Sequence, residues 1–139
     1  MREKIKLTPQ GTQWTAQFAV ASELCKLGCE VAFTMGNCTP LADLMVMAPN
    51  GAKFLIDVKG QSTRNFWRIK AKVQRDDLYY VLAYVGDAKC NRLFPMSQAT
   101  LLGLMERYQN SGVKYDERFS GFNWGDALPF ENAWQELPL

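Results

Sequence analysis

Histidine is missing from the 139 residues of this sequence. Its absence excludes a Ser-His-Asp triad, a Cys-His pair and a histidine general base. It also excludes nearly all catalytic zinc sites, which depend on imidazole ligands. Any catalysis must therefore use carboxylates, lysines, hydroxyls, amides or a metal ion with oxygen ligands. Such ligands favour magnesium, manganese or calcium.

Long apolar runs are also missing, since no segment approaches the ~18 residues of a membrane-spanning helix. The first six residues are mostly charged and lack the apolar core of a signal peptide, so we expect a cytoplasmic protein. The composition, 47% hydrophobic and 22% charged, is typical of a globular chain. The length predicts a single domain over residues 1–139, with a core at about 11–108 and an irregular C-terminal extension over 109–139.

Cysteines are few, and their spacing fits neither a Cys-x-x-Cys pair nor a zinc knuckle. We interpret them as reduced and mostly buried thiols. The four cysteines are Cys25, Cys29, Cys38 and Cys90.

The net charge is only +2, but the positive charge is locally concentrated. Residues 58–75 contain six basic side chains and no acidic one. A basic stretch of this kind indicates either phosphate contact or an ordinary solvated face, and the sequence leaves both open. The six residues are Lys59, Arg64, Arg68, Lys70, Lys72 and Arg75.

Apolar periodicity predicts a helix over residues 12–27 that ends at Gly28. Gln17 lies inside the apolar stripe of this helix, where a polar amide needs a hydrogen-bond partner. Glu23 lies on the opposite, solvated side. The stripe consists of Trp14, Phe18, Ala21, Leu24, Cys25 and Gly28.

The sequence after this helix, up to about residue 108, predicts short strands followed by a second helix. Together these elements predict an α/β sandwich around a mixed sheet. Ser97 is a candidate N-cap for the second helix, which continues to about Tyr108. The late tryptophans, Trp124 and Trp134, are expected to anchor the extension by packing. The predicted strands cover residues 30–34, 41–48, 53–59, 79–85 and 92–96.

An Asn50-Gly51 turn joins the second and third strands as a hairpin. If paired residue numbers sum to 100, Asp43 lies opposite Asp57, and Lys59 shares their face. Two facing carboxylates repel each other, and a divalent cation between them would cancel the repulsion. A sum of 101 would instead place the two acids on opposite faces.

These residues carry a resemblance to the PD-(D/E)xK nuclease superfamily, which covers roughly residues 11–85. The matching pattern is Asp43, then the tripeptide at 57–59 after thirteen residues, then Gln61, all preceded by an amphipathic helix. The resemblance implies a restriction-endonuclease-like sandwich, with about four to five strands flanked by helices. It also implies Mg²⁺- or Mn²⁺-dependent cleavage in which Lys59 activates the attacking water. The implied metal ligands are Asp43, Asp57 and the Val58 carbonyl.

Two glutamines complete the implied catalytic set. Gln61 matches a glutamine that often follows the lysine in resolvase-like branches of the superfamily. Gln17 stands where the family usually has a metal-binding glutamate. Because an amide carries no charge, this difference leaves open both the number of metal ions and a weak or inactive member.

We therefore expect an endodeoxyribonuclease of restriction, homing or junction-resolving type, which acts as a homodimer or higher homo-oligomer because cutting both strands needs two sites. DNA is favoured over RNA, and no membrane contact is expected. The alternatives are an RNA nuclease and an inactive nucleic-acid- or protein-binding module. The candidate nucleic-acid-binding residues are Arg64, Trp67, Arg68, Lys70 and Lys72.

Overall fold

The computed structural model describes residues 6–35, 41–112, 114 and 116–139, so the prediction for Cys38 lies outside the described residues. Three helices and seven strands are present in these ranges, together with short 3-10 turns in the C-terminal extension. In chain order the elements are α1 (Pro9–Lys26), β1 (Glu30–Phe33), β2 (Leu44–Met47), β3 (Lys53–Gln61), β4 (Trp67–Arg68), β5 (Leu78–Tyr84), β6 (Arg92–Ser97), α2 (Gln98–Gln109), β7 (Gly121–Phe122) and α3 (Trp124–Ala127).

Five strands form the central sheet in the order β1-β2-β3-β5-β6. The β3–β5 pair is parallel and the other pairs are antiparallel, so the sheet is mixed. The predicted α/β class with a mixed sheet of about five strands and flanking helices is confirmed. The crossover between β3 and β5 spans residues 62–77 and contains only β4, which pairs with β7 in a separate two-stranded sheet.

Helix α1 begins with Thr8 as its N-cap, whose hydroxyl accepts from the Gly11 amide, and it ends before Gly28 at a φ of 87°. The predicted apolar stripe is partly wrong, because Phe18 is 59% exposed and Cys25 is also exposed. The buried face instead uses mostly small side chains, since α1 approaches β3 closely. This face consists of Thr12, Ala16, Gln17, Val20, Ala21 and Leu24.

One core lies on each side of the sheet. Between α1 and the sheet, the first core contains residues such as Leu24, Ile56 and Val81. On the other side, α2 and the C-terminal extension cover Leu82 and Phe94. The extension is therefore an integral part of the second core.

Aromatic packing fixes the extension in place. The Trp124 ring stacks on Trp67 with a centroid distance of 5.8 Å and meets the edge of Tyr84 at 5.2 Å. The expected anchoring role of Trp124 is confirmed. Trp134 packs as a partly buried residue against the first core, on the other side of the sheet.

The thiols differ from expectation. Among the described residues, Cys25 and Cys90 are exposed and only Cys29 is buried, so the prediction of mostly buried cysteines is wrong there. All three are free thiols. In the same ranges, no helix has the length and apolarity needed to cross a membrane.

Candidate active site

The β2–β3 hairpin has the predicted register, since the pairs from Leu44↔Ile56 to Met47↔Lys53 all sum to 100. The ladder stops at Leu44, while β3 continues to Gln61. The last hydrogen bond between the two backbones runs from the Asp43 amide to the Ile56 carbonyl at 2.9 Å. After Ile56, no strand among the described residues pairs with this edge of β3. Side-chain oxygens accept hydrogen bonds from the Val58 and Gly60 amides in place of strand carbonyls.

Asp43 fills the first position along this open edge. Its Oδ2 accepts from the Val58 amide at 2.8 Å, and its Oδ1 faces the Gln17 side-chain nitrogen at 3.4 Å. Burial raises the pKa of Asp43 to about 6, and the negative charge of Asp57 adds to the increase. The Val58 hydrogen bond and the positive charge of Lys59 oppose it. A carboxylate held in this way is shifted toward its neutral form unless a cation is added.

Gln13 fills the next position, and our sequence analysis missed it. Its amide nitrogen donates to the Val58 carbonyl at 2.8 Å, and its Oε1 accepts from the Gly60 amide at 3.2 Å. The side chain thus replaces the peptide group of a neighbouring strand. Its spacing of four residues from Gln17 is a detectable signal, because residues four apart share a helix face.

Asp57 is the most buried ionisable side chain of the site, with only 3% of the residue exposed. Two ammonium groups reach its Oδ2: Lys59 at 3.3 Å and Lys72 at 2.7 Å. Both are charge pairs, and neither is an aligned hydrogen bond. The pairing explains how a carboxylate can lie in the second core, since a buried charge needs an opposite one.

Lys72, which we predicted as a nucleic-acid contact, lies in this site beside Asp57. Its ammonium also donates to the Leu41 carbonyl at 2.8 Å. The buried side chain of Gln98 holds the backbone that follows Lys72. Its amide nitrogen donates to the Val73 carbonyl at 3.2 Å, and its oxygen accepts from the Arg75 amide at 2.8 Å. The crossover between β3 and β5 thereby places Lys72 beside Asp57 as a second lysine.

Tyr80 is the partner of Asp57 in the parallel β3–β5 pairing. Burial raises the pKa of Tyr80 to about 12, and the negative charge of Asp57 contributes to the increase. The phenol is therefore neutral over the whole physiological range, and its ring packs in the second core.

Most of the remaining predicted site residues contact partners other than Asp43 and Asp57. Gln61 turns toward the following loop and donates to the Asn65 carbonyl at 2.8 Å. Arg68 donates to the Arg118 carbonyl at 2.8 Å and lies over the Phe119 ring.

The prediction that Trp67 stacks on bases is wrong, because its ring is buried, only 1% exposed, against Trp124. Of the other predicted contacts, Arg64 lies over the Tyr84 ring at 5.4 Å. Lys70 is exposed on the crossover.

The donor set fits one divalent cation of the magnesium type. Asp43, just before β2, and Asp57 on β3 both offer carboxylate oxygens. Burial raises the pKa of Asp43, and the negative charge of Asp57 adds to the increase, so a nearby cation would favour the ionised form. The Val58 carbonyl already accepts from Gln13, but a carbonyl oxygen has a second lone pair. Within the described ranges, no three Asp, Glu, His or Cys side chains lie close enough to hold a metal together. The two acids suffice for one ion whose remaining positions are filled by water.

The fold is similar to that of the bacterial homing endonuclease I-Ssp6803I. The alignment has a TM-score of 0.58 and 17% sequence identity, and it covers 94% of this chain and 91% of the endonuclease chain. No protein-family model and no curated protein sequence matches the chain. The chain thus has a nuclease-like α/β fold, with a pair of acids and two lysines at the point where β2 and β3 separate.

Proposed function

We propose that this protein is an endonuclease of the PD-(D/E)xK type that hydrolyses DNA phosphodiesters with one Mg²⁺ or Mn²⁺ on Asp43 and Asp57. The observation that carries the proposal is the placement of both acids beside Lys59 at the end of the β2–β3 ladder. The fold it shares with a homing endonuclease supports the same function.

Each residue of the site has a distinct role in this proposal. A bound divalent cation would polarise the phosphate and lower the pKa of a coordinated water. The Lys59 ammonium, 29% exposed beside Asp57, orients the attacking water and stabilises the negative charge that develops on the phosphate. Gln17 holds the Asp43 carboxylate in position through its amide. Gln61 stays a candidate that would have to turn away from the Asn65 carbonyl to take part.

DNA is the proposed substrate, and the exposed basic side chains near the crossover would contact its backbone. Of the predicted contacts, Arg64, Arg68 and Lys70 are exposed. Cutting both strands of a duplex would need two copies of the site, so we also propose a homodimer or higher homo-oligomer.

The function is tested by Mg²⁺- or Mn²⁺-dependent cleavage of supercoiled plasmid. We expect Asp57→Asn and Lys59→Met to lower the cleavage rate at least about 100-fold, because the first removes a charged metal ligand and the second removes the group that orients the attacking water. A second Asp-x-Lys at Asp87 and Lys89 provides matched controls, since it lies in an exposed turn. Asp87→Asn and Lys89→Met should cut at the parental rate.

Parental cleavage by Asp57→Asn or Lys59→Met would show that the site is wrongly assigned. A second candidate function is a nucleic-acid-binding module of the same fold, which the neutral Gln17 beside Asp43 favours. Binding without metal-dependent cleavage of duplex DNA, branched DNA or RNA would support this module. Cleavage of RNA alone would identify a ribonuclease.

A further inference from the structure

Lys72 makes the shortest charge contact of the candidate site, 2.7 Å from Asp57 Oδ2. This oxygen belongs to the carboxylate that is proposed to hold the metal ion. The Lys72 side chain is 25% exposed, so its ammonium has a path to solvent. The ammonium also donates to the Leu41 carbonyl, which lies outside the acidic pair.

We propose that Lys72 and the divalent cation compete for Asp57, so that metal binding transfers the Lys72 ammonium from Asp57 to the substrate phosphate. This inference rests on the proposed function and assigns Lys72 the role of an exchangeable cation. Lys59 remains on β3, where the strand backbone fixes the base of its side chain.

The charge balance of the site is the first argument. The two carboxylates, Asp43 and Asp57, are matched by the two ammonium groups of Lys59 and Lys72, so these four groups together carry no net charge when ionised. A divalent cation added to them would leave two positive charges uncompensated in a largely buried place, which is unfavourable. When one ammonium leaves and pairs with an incoming phosphate, only one of these two positive charges stays uncompensated at the site.

Backbone geometry is the second argument. Gln98 anchors the chain at Lys72 and Val73 from α2, so the side chain of Lys72 can change its partner while its backbone stays in place. A lysine has a long flexible stem and a compact charge, which suits it to exchange between a carboxylate and a phosphate.

The test measures binding of Mn²⁺ to the protein without nucleic acid, by isothermal titration calorimetry. Because Lys72→Met removes the competing ammonium, we expect it to bind Mn²⁺ about tenfold more tightly than the parent. Lys72→Arg keeps a competing cation and should bind within about threefold of the parent. Lys89→Met, which removes the same charge from an exposed turn, is the matched control and should bind as the parent does.

A second measurement uses duplex DNA with Ca²⁺ in place of Mg²⁺. Lys72→Met should bind this DNA at least about threefold more weakly, since one phosphate contact is lost. The proposal therefore predicts opposite signs for one substitution: tighter metal binding and weaker DNA binding. Damage to the fold would weaken both, and thermal melting checks that the variant is folded.

Unchanged or weaker Mn²⁺ binding by Lys72→Met overturns the exchange, and so does unchanged DNA binding. If the parent cleaves DNA and the Mn²⁺ affinities are equal, the proposed function stands and the exchange fails. If Lys72→Met gains Mn²⁺ affinity but the parent cuts no nucleic acid, the exchange at Asp57 stands and the nuclease assignment fails.

Discussion

Three glutamine side chains fix the geometry of the site by hydrogen bonds. Gln13 bonds to the backbone of β3, Gln17 faces Asp43, and Gln98 holds the crossover near Lys72. An amide can donate and accept at once, so it can replace a missing peptide group where a carboxylate or an ammonium could not. These amides position the charged groups without adding charge of their own.

Among single residues, Asp43 has a raised pKa that makes the stability of the protein depend on pH. Its pKa of about 6 lies above the ordinary 3.8, so the folded protein keeps a proton that the unfolded chain releases. Stability is therefore lost as the pH rises through this interval. We expect Asp43→Asn, measured by thermal unfolding in EDTA, to be more stable than the parent by about 1–2 kcal/mol at pH 7. The difference should vanish below about pH 4, where Asp43 is neutral in both states.

Asp87→Asn is the control, because Asp87 lies in a turn away from the acidic pair. Its stability should follow the parent at both pH values. A variant Asp43→Asn that is less stable than the parent at pH 7 would contradict the prediction. That result would mean that the ionised carboxylate is already compensated in the folded protein.

At the scale of elements, the close approach of α1 to β3 places Gln13 and Gln17 at the site. Gly60 permits this approach, because a Cβ there would lie 2.6 Å from the Ala16 Cβ and 3.2 Å from the Thr12 carbonyl oxygen. The same Cβ would lie 3.3 Å from the Gln13 oxygen that accepts from the Gly60 amide. Packing of the helix and the geometry of the site therefore depend on the same residue.

Gly60→Ala should push α1 away from β3 and weaken the Gln13 contact. We expect a loss of about 2–3 kcal/mol in the free energy of unfolding, the typical cost of an overpacked core. Urea unfolding measures it. Gly103 is the matched control, because a methyl group at this exposed position of α2 would meet no atom within 4 Å.

Gly103→Ala should raise stability by about 0.5–1 kcal/mol through helix propensity. The two glycine substitutions therefore have opposite expected signs. Equal stability of Gly60→Ala and the parent would show that α1 can move without cost.

Across the whole molecule, the C-terminal extension closes the second core. Arg92 on β6 makes two hydrogen bonds to Glu131 at 2.8 and 2.7 Å, and its guanidinium lies 5.5 Å from the centre of the Trp124 ring. The pair is partly buried, since the two side chains are 25% and 32% exposed. It joins the extension to the outermost strand of the sheet.

The hydrogen bonds from Arg92 lower the pKa of Glu131 below its ordinary 4.5. The stabilisation is therefore complete above pH 4.5 and is lost as the pH falls through the folded-state pKa. We expect Glu131→Gln to cost about 1 kcal/mol at pH 7, with the difference shrinking in acid. Chemical denaturation at about pH 7 and about pH 3 measures both effects.

Glu23 forms an exposed ion pair with Lys26 at 3.4 Å and offers a control of the same chemistry. Glu23→Gln should change stability by less than about 0.5 kcal/mol, because solvent screens the pair. If Glu131→Gln costs no more than this control, the ion pair does not contribute to holding the extension.

The sequence by itself determined the hairpin and left two registers for the pair of acids. The structure has the register in which paired residue numbers sum to 100, and a period of two residues then places Asp43 and Asp57 together. The second helix was equally readable, because Ser97 caps it through the Thr100 amide as its position predicts. These features depend on neighbours in the chain.

Tertiary structure alone decided which face of α1 is buried and which lysines reach Asp57. The helical wheel favoured bulky Phe18, whereas close packing against Gly60 selected Ala16 and the two glutamines. Lys72 is fifteen residues from Asp57, and only the path of the crossover brings their charges into contact. Local periodicity cannot encode such a contact, because its energy comes from groups that meet only after the sheet has formed.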